Sequence, residues 1–369
     1  MLTMESQQTL LSGIQPSGDL HIGNYLGAIK QWVELQKTHR VFITIVDLHA
    51  ITVPQDPEKL REKTLETAAL LLACGIDPKK SVLFIQSHVP AHTELMWILN
   101  TLTPVRELLE MTQYKEKAPG LRKIVARGRA GLLSPHGGGL LSPANMELKE
   151  DLGNMGLLDY PILQAADILL YQPDIVPIGE DQLQHLELTR TLARKFNNRF
   201  GETFKEPKAL INAGTGRIMG LDDPSKKMSK SAQSPNNYIA LLDSQDEIRR
   251  KIKIAVTDSE KGGTEFYKKA RPGVVNLLAI YAEFSDLTMA DTLTKSWENY
   301  SNRYSELKHD VSEIVIEKLS KIQEKYKEIS TDKEGLLTIL NSGSQKAAEV
   351  ANKTLTEVKN KIGLVPLEF

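Results

Sequence analysis

Cysteine is almost absent from this sequence. Cys74 is the only one among 369 residues, which excludes an intrachain disulfide framework and a metal site built on several thiolates. Its neighbours at 71–75 are small or apolar, so we interpret Cys74 as a buried core residue rather than a redox centre. Because proteins without disulfides are typical of the cytoplasm, that is the location we expect.

Long apolar runs are absent as well. No stretch approaches the roughly 20 consecutive apolar residues that span a membrane, and residues 1–10 lack the basic start and apolar segment of a signal peptide. We therefore expect no contact with a membrane. With 41% hydrophobic and 25% charged residues, the chain can bury a sizeable core, and its length indicates two domains.

An excess of positive charge is the third missing feature. The formal net charge is −1, which argues against a protein that coats nucleic acid along its whole surface. Local contacts need only a cluster, and basic residues outnumber acidic ones between Lys115 and Arg129. We interpret this segment with equal weight as a nucleic-acid contact or as a solvated basic loop.

Strands and helices alternate in the first half of the chain. Four short runs rich in β-branched, aromatic or aliphatic residues predict strands at 10–14, 41–46, 81–86 and 174–178. Asp56-Pro57-Glu58 predicts the start of a helix that runs to about Ala73. This alternation predicts an α/β fold with a doubly wound parallel sheet.

The remaining segments differ from this pattern. From residue 246 onward, apolar residues recur at helical spacing, which predicts a helical C-terminal domain. We therefore divide the chain into an α/β domain at 1–200, a return to that domain at 201–245 and a helical domain at 246–369. Gly-Leu-Leu-Ser-Pro occurs twice within 118–155, and this segment predicts a long flexible loop inserted in the first domain. We assign no residue of the chain as a metal ligand.

A lysine-rich loop is the first candidate functional segment. Residues 226–231, Lys-Lys-Met-Ser-Lys-Ser, follow Asp222-Asp223-Pro224, which is typical of a loop. Ammonium groups suit a triphosphate that loses pyrophosphate, because negative charge builds on the leaving phosphates and each lysine donates several hydrogen bonds. Taken alone, such a loop is more often a solvated basic surface.

The second candidate segment lies near the start of the chain. The strand at 10–14 leads into Gln-Pro-Ser-Gly and then into a helix predicted to begin near His21. Helix N-termini bind phosphate, to which His21 can donate, while Gly23 lets a nucleobase approach the backbone. His-Ile-Gly-Asn at 21–24, followed much later by Lys-Met-Ser-Lys-Ser at 227–231, resembles the two signatures of the class I aminoacyl-tRNA synthetases.

Five further segments narrow the resemblance to the tryptophanyl-tRNA synthetases of the bacterial type. They are Ser-Gly-Ile-Gln-Pro-Ser-Gly at 12–18, Met-Thr-Gln-Tyr-Lys-Glu-Lys at 111–117, Ala-Ala-Asp-Ile-Leu-Leu-Tyr at 165–171, Val-Pro-Ile-Gly-Glu-Asp-Gln at 176–182 and Ala-Val-Thr-Asp-Ser at 255–259. The resemblance implies a Rossmann-type catalytic domain, a helical anticodon-binding domain and a homodimer. It also implies an enzyme that uses ATP and Mg²⁺ to join L-tryptophan to tRNA(Trp).

The resemblance also implies which residues act. The positions that resemble the family's catalytic residues are His21, Asn24, Lys117, Lys227 and Lys230. Those that resemble its ATP-binding residues are Gln15, Pro16, Ser17, Gly23, Asn24, Gly179, Glu180, Asp181, Ile218, Lys227, Met228, Ser229, Lys230 and Ser231. Those that resemble its tryptophan-binding residues are Asp167, Tyr160, Gln15, Gln182, His49, Val46, Val176 and Ile178. Within this last set, Asp167 would accept the indole N–H.

Two departures and two alternatives accompany this interpretation. The connection between Lys117 and Tyr160 is longer than is usual in the family, and Gln164 stands where family members can carry methionine. A tyrosyl-tRNA synthetase would share the fold and both signatures, although Ala-Ala-Asp and Gly-Glu-Asp-Gln favour tryptophan. A catalytically silent paralogue that binds tryptophan or RNA is the other alternative, against which the intact signatures argue.

Overall fold

The computed structural model describes residues 7–117, 154–211, 218–230, 232, 234–257, 272–285, 287–288, 291–292 and 303–365. The strands are β1 (Thr9–Ile14), β2 (Arg40–Ile45), β3 (Ser81–Ile85), β4 (Ile175–Ile178) and β5 (Lys208–Ile211). The α-helices are α1 (Ile22–Asn24), α2 (Lys30–Leu35), α3 (Asp47–Ala50), α4 (Pro57–Ala73), α5 (Ala91–Asn100), α6 (Val105–Leu109), α7 (Thr112–Lys117), α8 (Met155–Leu170), α9 (Leu183–Phe200), α10 (Gln245–Ile254), α11 (Pro272–Ser285), α12 (Tyr304–Thr331) and α13 (Lys333–Ile362). A π-helical turn at Tyr25–Ile29 joins α1 to α2.

The sheet confirms the predicted fold class. Its strand order is β3-β2-β1-β4-β5, and all neighbouring strands run parallel, with Leu10 of β1 aligned with both Val41 of β2 and Ile175 of β4. The chain order reverses between β1 and β4. In open sheets of this kind, ligands bind at such a switch point, beyond the carboxyl ends of the strands.

Burial on both faces explains why the sequence revealed most of the strands. Leu10 and Ile43 belong to the core on one face of the sheet, whereas Leu11 and Phe42 belong to the core on the other face. A parallel strand covered on both sides is apolar at nearly every position, and five successive residues of β2 are buried. β5 was not predicted, because this four-residue edge strand has exposed ends and an apolar run of only three residues.

The C-terminal helices confirm the predicted helical region. α12 packs against α10, α11 and α4, and α13 lies along β3 while also meeting α5 and α8. On α13, Ala347 and Ala351 are buried in the same core as Phe42, and the Thr354 hydroxyl donates to the Leu170 carbonyl at 2.8 Å. The helical region therefore closes back onto the sheet.

The inserted loop predicted at 118–155 lies almost entirely outside the described residues. At its far end, Asn154 caps α8 by accepting a hydrogen bond from the Leu157 N–H at 2.8 Å, and Met155 is the first helical residue. The helix therefore begins at the approximate end assigned to the loop, and the loop itself stays a prediction.

Gly343 lets α13 lie directly against the backbone of β3. A Cβ added there would stand 1.8 Å from the Leu83 carbonyl oxygen, whereas one added at Gly27 would meet no atom within 4 Å. We expect Gly343→Ala to lower the free energy of unfolding by roughly 1–3 kcal/mol, because backbone must move apart to admit the methyl group. Urea unfolding followed by circular dichroism measures this change.

The matched control is Gly27→Ala, which should leave stability unchanged or raise it, because alanine is the better helix former. Equal unfolding midpoints for the two variants would show that α13 is not seated closely on β3.

Candidate active site

The turn after β1 and the lysine loop meet at one cavity beyond the carboxyl end of β1. The cavity measures about 440 Å³ and is lined by Gln15, Ser17, Gly18, Asp19, His49, Ala50, Thr52, Val53, Lys230 and Tyr238. It thus combines the turn at 15–19 with Lys230, whereas His21, Gly23, Asn24 and Lys227 are not among the residues that line it. Asp19 and Tyr238 were not predicted to belong to the site, and no local pattern marks them.

The side chain of Lys230 lies across the turn that follows β1. Lys230 Nζ donates to the Ser17 hydroxyl at 3.2 Å. Gly18 has φ +65°, and a Cβ there would stand 3.0 Å from Lys230 Cδ, so glycine serves both the left-handed backbone and the lysine stem. Pro16 is buried beneath the turn, while Gln15 is exposed.

His21 is a buried, neutral histidine at the start of α1. Its backbone N–H donates to Asn24 Oδ1 at 3.2 Å, and its side chain is only 4% exposed. Burial, together with the positive charges of Lys230 and Lys227, lowers the pKa of His21 to about 4. The imidazole is therefore neutral at pH 7 and offers one N–H. A Cβ on Gly23 would lie 2.9 Å from His21 Nδ1, so glycine leaves the ring its space.

The lysine loop has neither helix nor extended strand, as predicted, but its backbone is anchored. The Met228 N–H donates to the Ile218 carbonyl at 3.1 Å, and the Ser229 N–H donates to Asn237 Oδ1 at 2.9 Å. Both Ile218 and Met228 are buried in the hydrophobic core. Their side chains therefore fix the loop and are turned away from the cavity. Asn237, which the sequence did not single out, also donates to the Asp222 carboxylate.

The two lysines of the loop differ in their surroundings. Lys227 is exposed, whereas Lys230 is half-buried, and burial lowers the pKa of Lys230 although Asp19 opposes the shift. Ser231 lies outside the described residues. Lys117 is the last residue of α7, and its side chain also lies outside what is described.

Asp167 on α8 is an almost fully buried carboxylate surrounded by donors. It is 4% exposed, and it is hydrogen-bonded to His92 Nδ1 at 2.6 Å, to His49 Nε2 at 2.8 Å, and to Gln86 Nε2 at 2.8 and 2.9 Å. Burial alone would raise the pKa of Asp167, but the hydrogen bonds from His49 and His92 outweigh it and hold that pKa well below its usual range. The carboxylate is therefore ionised at neutral pH.

Tyr160 connects this carboxylate group to the rest of the site. Its ring stands edge-on to His49, with centroids 6.3 Å apart, and its hydroxyl lies 3.0 Å from Gln113 Oε1 and 2.8 Å from His185 Nε2. The structure thus brings Gln15, His49, Tyr160 and Asp167 into one connected region. Gln113 and His185 were missed by the sequence analysis, although Gln113 lies within the recognised segment at 111–117.

The other expected binding residues lie at the carboxyl ends of β2 and β4. The Val46 N–H donates to the Ile14 carbonyl at 3.0 Å. Val176 and Ile178 belong to β4, and Gly179 begins the 3₁₀ turn at Glu180–Gln182. Within that turn, Gln182 donates to the carboxylate of Asp181 at 2.9 Å. A Cβ on Gly179 would stand 2.5 Å from Asp181 Oδ1, so glycine permits this tight turn. Glu180 and Asp181 are exposed.

The described residues contain no group of three or more His, Cys, Asp or Glu side chains arranged to hold a metal ion. None of the described helices is long and apolar enough to cross a membrane.

Comparison with known proteins identifies the family. The model of the class I tRNA synthetases for tryptophan and tyrosine matches residues 3–320. A protein named tryptophan–tRNA ligase from Caldanaerobacter subterraneus subsp. tengcongensis is 48% identical over 356 residues, covering 96% of this chain and 98% of that protein.

Solved structures agree with this match. Tryptophanyl-tRNA synthetase from Mycoplasma pneumoniae superposes with a TM-score of 0.79 at 35% identity, covering 97% of this chain and 98% of that one. The Campylobacter jejuni enzyme, complexed with ADP and tryptophan, gives a TM-score of 0.76 at 37% identity and covers 96% of this chain and 100% of its own. The chain therefore belongs to the class I tRNA synthetases for tryptophan and tyrosine, within the group of tryptophan–tRNA ligases.

Proposed function

We propose that this protein activates L-tryptophan with ATP to form tryptophanyl-adenylate and pyrophosphate, and then transfers tryptophan to the terminal 2′-hydroxyl of tRNA(Trp). The observation that carries the proposal is the meeting of the turn at 15–19 and Lys230 of the lysine loop at one cavity, whose His49 is hydrogen-bonded to the buried carboxylate of Asp167. Relatives at 43–48% identity over nearly the whole chain are named tryptophan–tRNA ligase.

The phosphate end of the site is built to stabilise charge rather than to move protons. Lys230 lies over the turn at Ser17, Lys227 carries a second positive charge, and neutral His21 offers an N–H to phosphate. Adenylate formation needs the tryptophan carboxylate held in line with the α-phosphorus and the leaving pyrophosphate stabilised. The family resemblance implies further ATP contacts. They would be made by Gln15, Pro16, Gly23, Asn24, Lys117, Gly179, Glu180, Asp181, Ile218, Met228, Ser229 and Ser231. For Ile218 and Met228 any such contact would use the backbone.

The amino-acid end of the site combines a buried acceptor with apolar walls. Asp167 would accept the indole N–H, while His49, Val46, Val176 and Ile178 would contact the ring. Gln15, Tyr160 and Gln182 would hold the ammonium and carboxylate groups. A site built around one buried acceptor rejects side chains that bring no matching donor, because the acceptor would then be left unpaired.

The assembly and partners are proposed on the same basis. The helical region at 246–369 would bind the anticodon, ATP would bring Mg²⁺, and the enzyme would work in the cytoplasm. A homodimer is supported by exposed apolar side chains on neighbouring helices: Trp97 on α5 is 71% exposed, and Val105 and Met155 begin α6 and α8. Large apolar side chains in water favour association.

Pyrophosphate exchange into ATP, measured with each standard amino acid in turn, tests the activation step. We expect exchange with tryptophan and only weak exchange with tyrosine or phenylalanine. If tyrosine supported pyrophosphate exchange better than tryptophan did, the protein would be a tyrosyl-tRNA synthetase. If tryptophan bound but supported no exchange, the protein would be a catalytically silent paralogue.

Lys230→Ala and Lys227→Ala should each slow adenylate formation by about 10²–10³-fold, the scale of one lost charge-stabilising donor, with a much smaller loss of tryptophan binding. Single-turnover rates and equilibrium binding separate the two effects. Lys226→Ala is the matched control, because Lys226 is exposed in the same loop and pairs with Asp223 at 3.1 Å. Equal losses in single-turnover rate and in binding would mean that the lysines contribute to binding of the substrates rather than to stabilisation of the transition state.

Asp167→Asn should lower kcat/KM for tryptophan by more than about tenfold, because the neutral amide is a weaker and less well-oriented acceptor in a site selected around that hydrogen bond. Phenylalanine, which has no ring donor, should be activated as poorly as before or slightly better. Pyrophosphate exchange with both amino acids gives the ratio, and circular dichroism checks the fold. Parallel losses for both substrates would mean that Asp167 has a structural role.

A further inference from the structure

The hydrogen bonds to Asp167 fall on two sides of the carboxylate. His92 and Gln86, both fully buried, donate from the protein interior to Oδ1, with Gln86 shared between both oxygens. His49 donates to Oδ2, and His49 also lines the active-site cavity. One side is therefore held by the core, whereas the other side meets a residue that faces the ligand.

The contacts of His92 with Asp167 and Tyr171 determine which of its ring nitrogens faces the carboxylate with an N–H. His92 Nε2 lies 2.9 Å from the Tyr171 hydroxyl, and burial together with the Asp167 charge raises the pKa of Tyr171 far above its usual range. Because the ionised Asp167 can only accept, His92 Nδ1 bears the N–H that faces it. The Tyr171 hydroxyl keeps its proton and can donate it to the remaining nitrogen, Nε2. Phe84 packs against both His92 and Tyr171, so both side chains are held in place by the core.

Gln86 is oriented by an independent contact. Its Oε1 accepts a hydrogen bond from the Leu48 N–H at 3.1 Å, so its Nε2 must be the end that faces Asp167. Gln86 follows β3, and Leu48 lies in α3 immediately after β2. The orientation of the carboxylate is thereby tied to the ends of two sheet strands.

We propose that His92 is a positioning residue for amino-acid recognition: its Nδ1–H, fixed by Tyr171, holds the Asp167 carboxylate so that the oxygen next to His49 is aimed at the indole N–H. The proposal rests on the proposed role of Asp167. Without His92, Oδ1 would keep only the hydrogen bond from Gln86. A carboxylate with fewer fixed donors turns more easily about its single bond, and a less well-oriented acceptor discriminates less.

The test compares two substrates that differ in one donor. In L-3-(3-benzothienyl)alanine a sulfur atom replaces the indole N–H, so the ratio of kcat/KM for tryptophan to that for this analogue reports the contact with Asp167. His92→Leu removes the Nδ1 donor, whereas His92→Asn places an amide N–H near the position of Nδ1. We expect His92→Leu to reduce the ratio roughly tenfold, mainly through KM for tryptophan, and His92→Asn to restore most of it.

Asp167→Asn in the same assay separates this proposal from the one on which it depends. If wild type itself does not distinguish the two substrates, or if Asp167→Asn leaves the ratio unchanged, the role of Asp167 fails. If Asp167→Asn abolishes the ratio while His92→Leu preserves it, the role of His92 alone is overturned. Equal losses for both substrates in His92→Leu would mean that His92 only supports the fold.

Tyr171→Phe provides a milder variant should His92→Leu not fold. Removing the hydroxyl leaves Nε2 without its donor and no longer enforces the Nδ1–H form, so the ratio should fall roughly threefold. Tyr281→Phe, the same change on α11 in the helical region, is the matched control and should leave the ratio unaltered. A wild-type ratio in folded Tyr171→Phe would contradict the proposed hydrogen-bonded chain.

Discussion

An ionised carboxylate that is almost completely removed from water has to receive hydrogen bonds from the protein, because its lost hydration costs several kcal/mol unless donors replace it. At Asp167 these donors come from three separate parts of the chain: α3 supplies His49, the turn after β3 supplies Gln86, and α5 supplies His92. Meeting this requirement fixes the helices and strand ends around the amino-acid pocket relative to one another. The carboxylate to which we assign substrate selection therefore also organises its surroundings.

The phosphate side of the site is organised by a different means. The lysine loop has little regular secondary structure, and it is held instead by one buried side chain, Met228, and by the amide of Asn237. Gly220 approaches Asn237 so closely that a Cβ would stand 2.2 Å from Nδ2. The loop backbone is thus fixed while the ammonium of Lys227 stays in water and that of Lys230 rests on the turn at Ser17. Charges placed in this way can follow a leaving group without unfolding the loop that carries them.

Sequence reasoning succeeded where the information is local. Four of the five strands were visible because parallel strands buried on both faces are apolar at nearly every position, and the motifs were visible because their residues are neighbours in the chain. His92 and Gln86 were not found, since they reach Asp167 across separations of 75 and 81 residues, and a buried histidine or glutamine in a helix or turn carries no local sign of its partner. The same holds for Asn237, whose importance appears only when the lysine loop has folded over it.

The contact between α13 and β3 affects the order in which the chain folds during synthesis. β3 is an edge strand of the sheet, and α13, which lies along it, is the last described helix in the sequence. A ribosome releases the chain from its N-terminus, and domains begin to fold as they emerge. The sheet can therefore assemble while the unpaired backbone groups of β3 are still open to other chains, and these groups are covered only when α13 arrives. The contact at Gly343 therefore closes this edge of the sheet last, after the final described helix has been made.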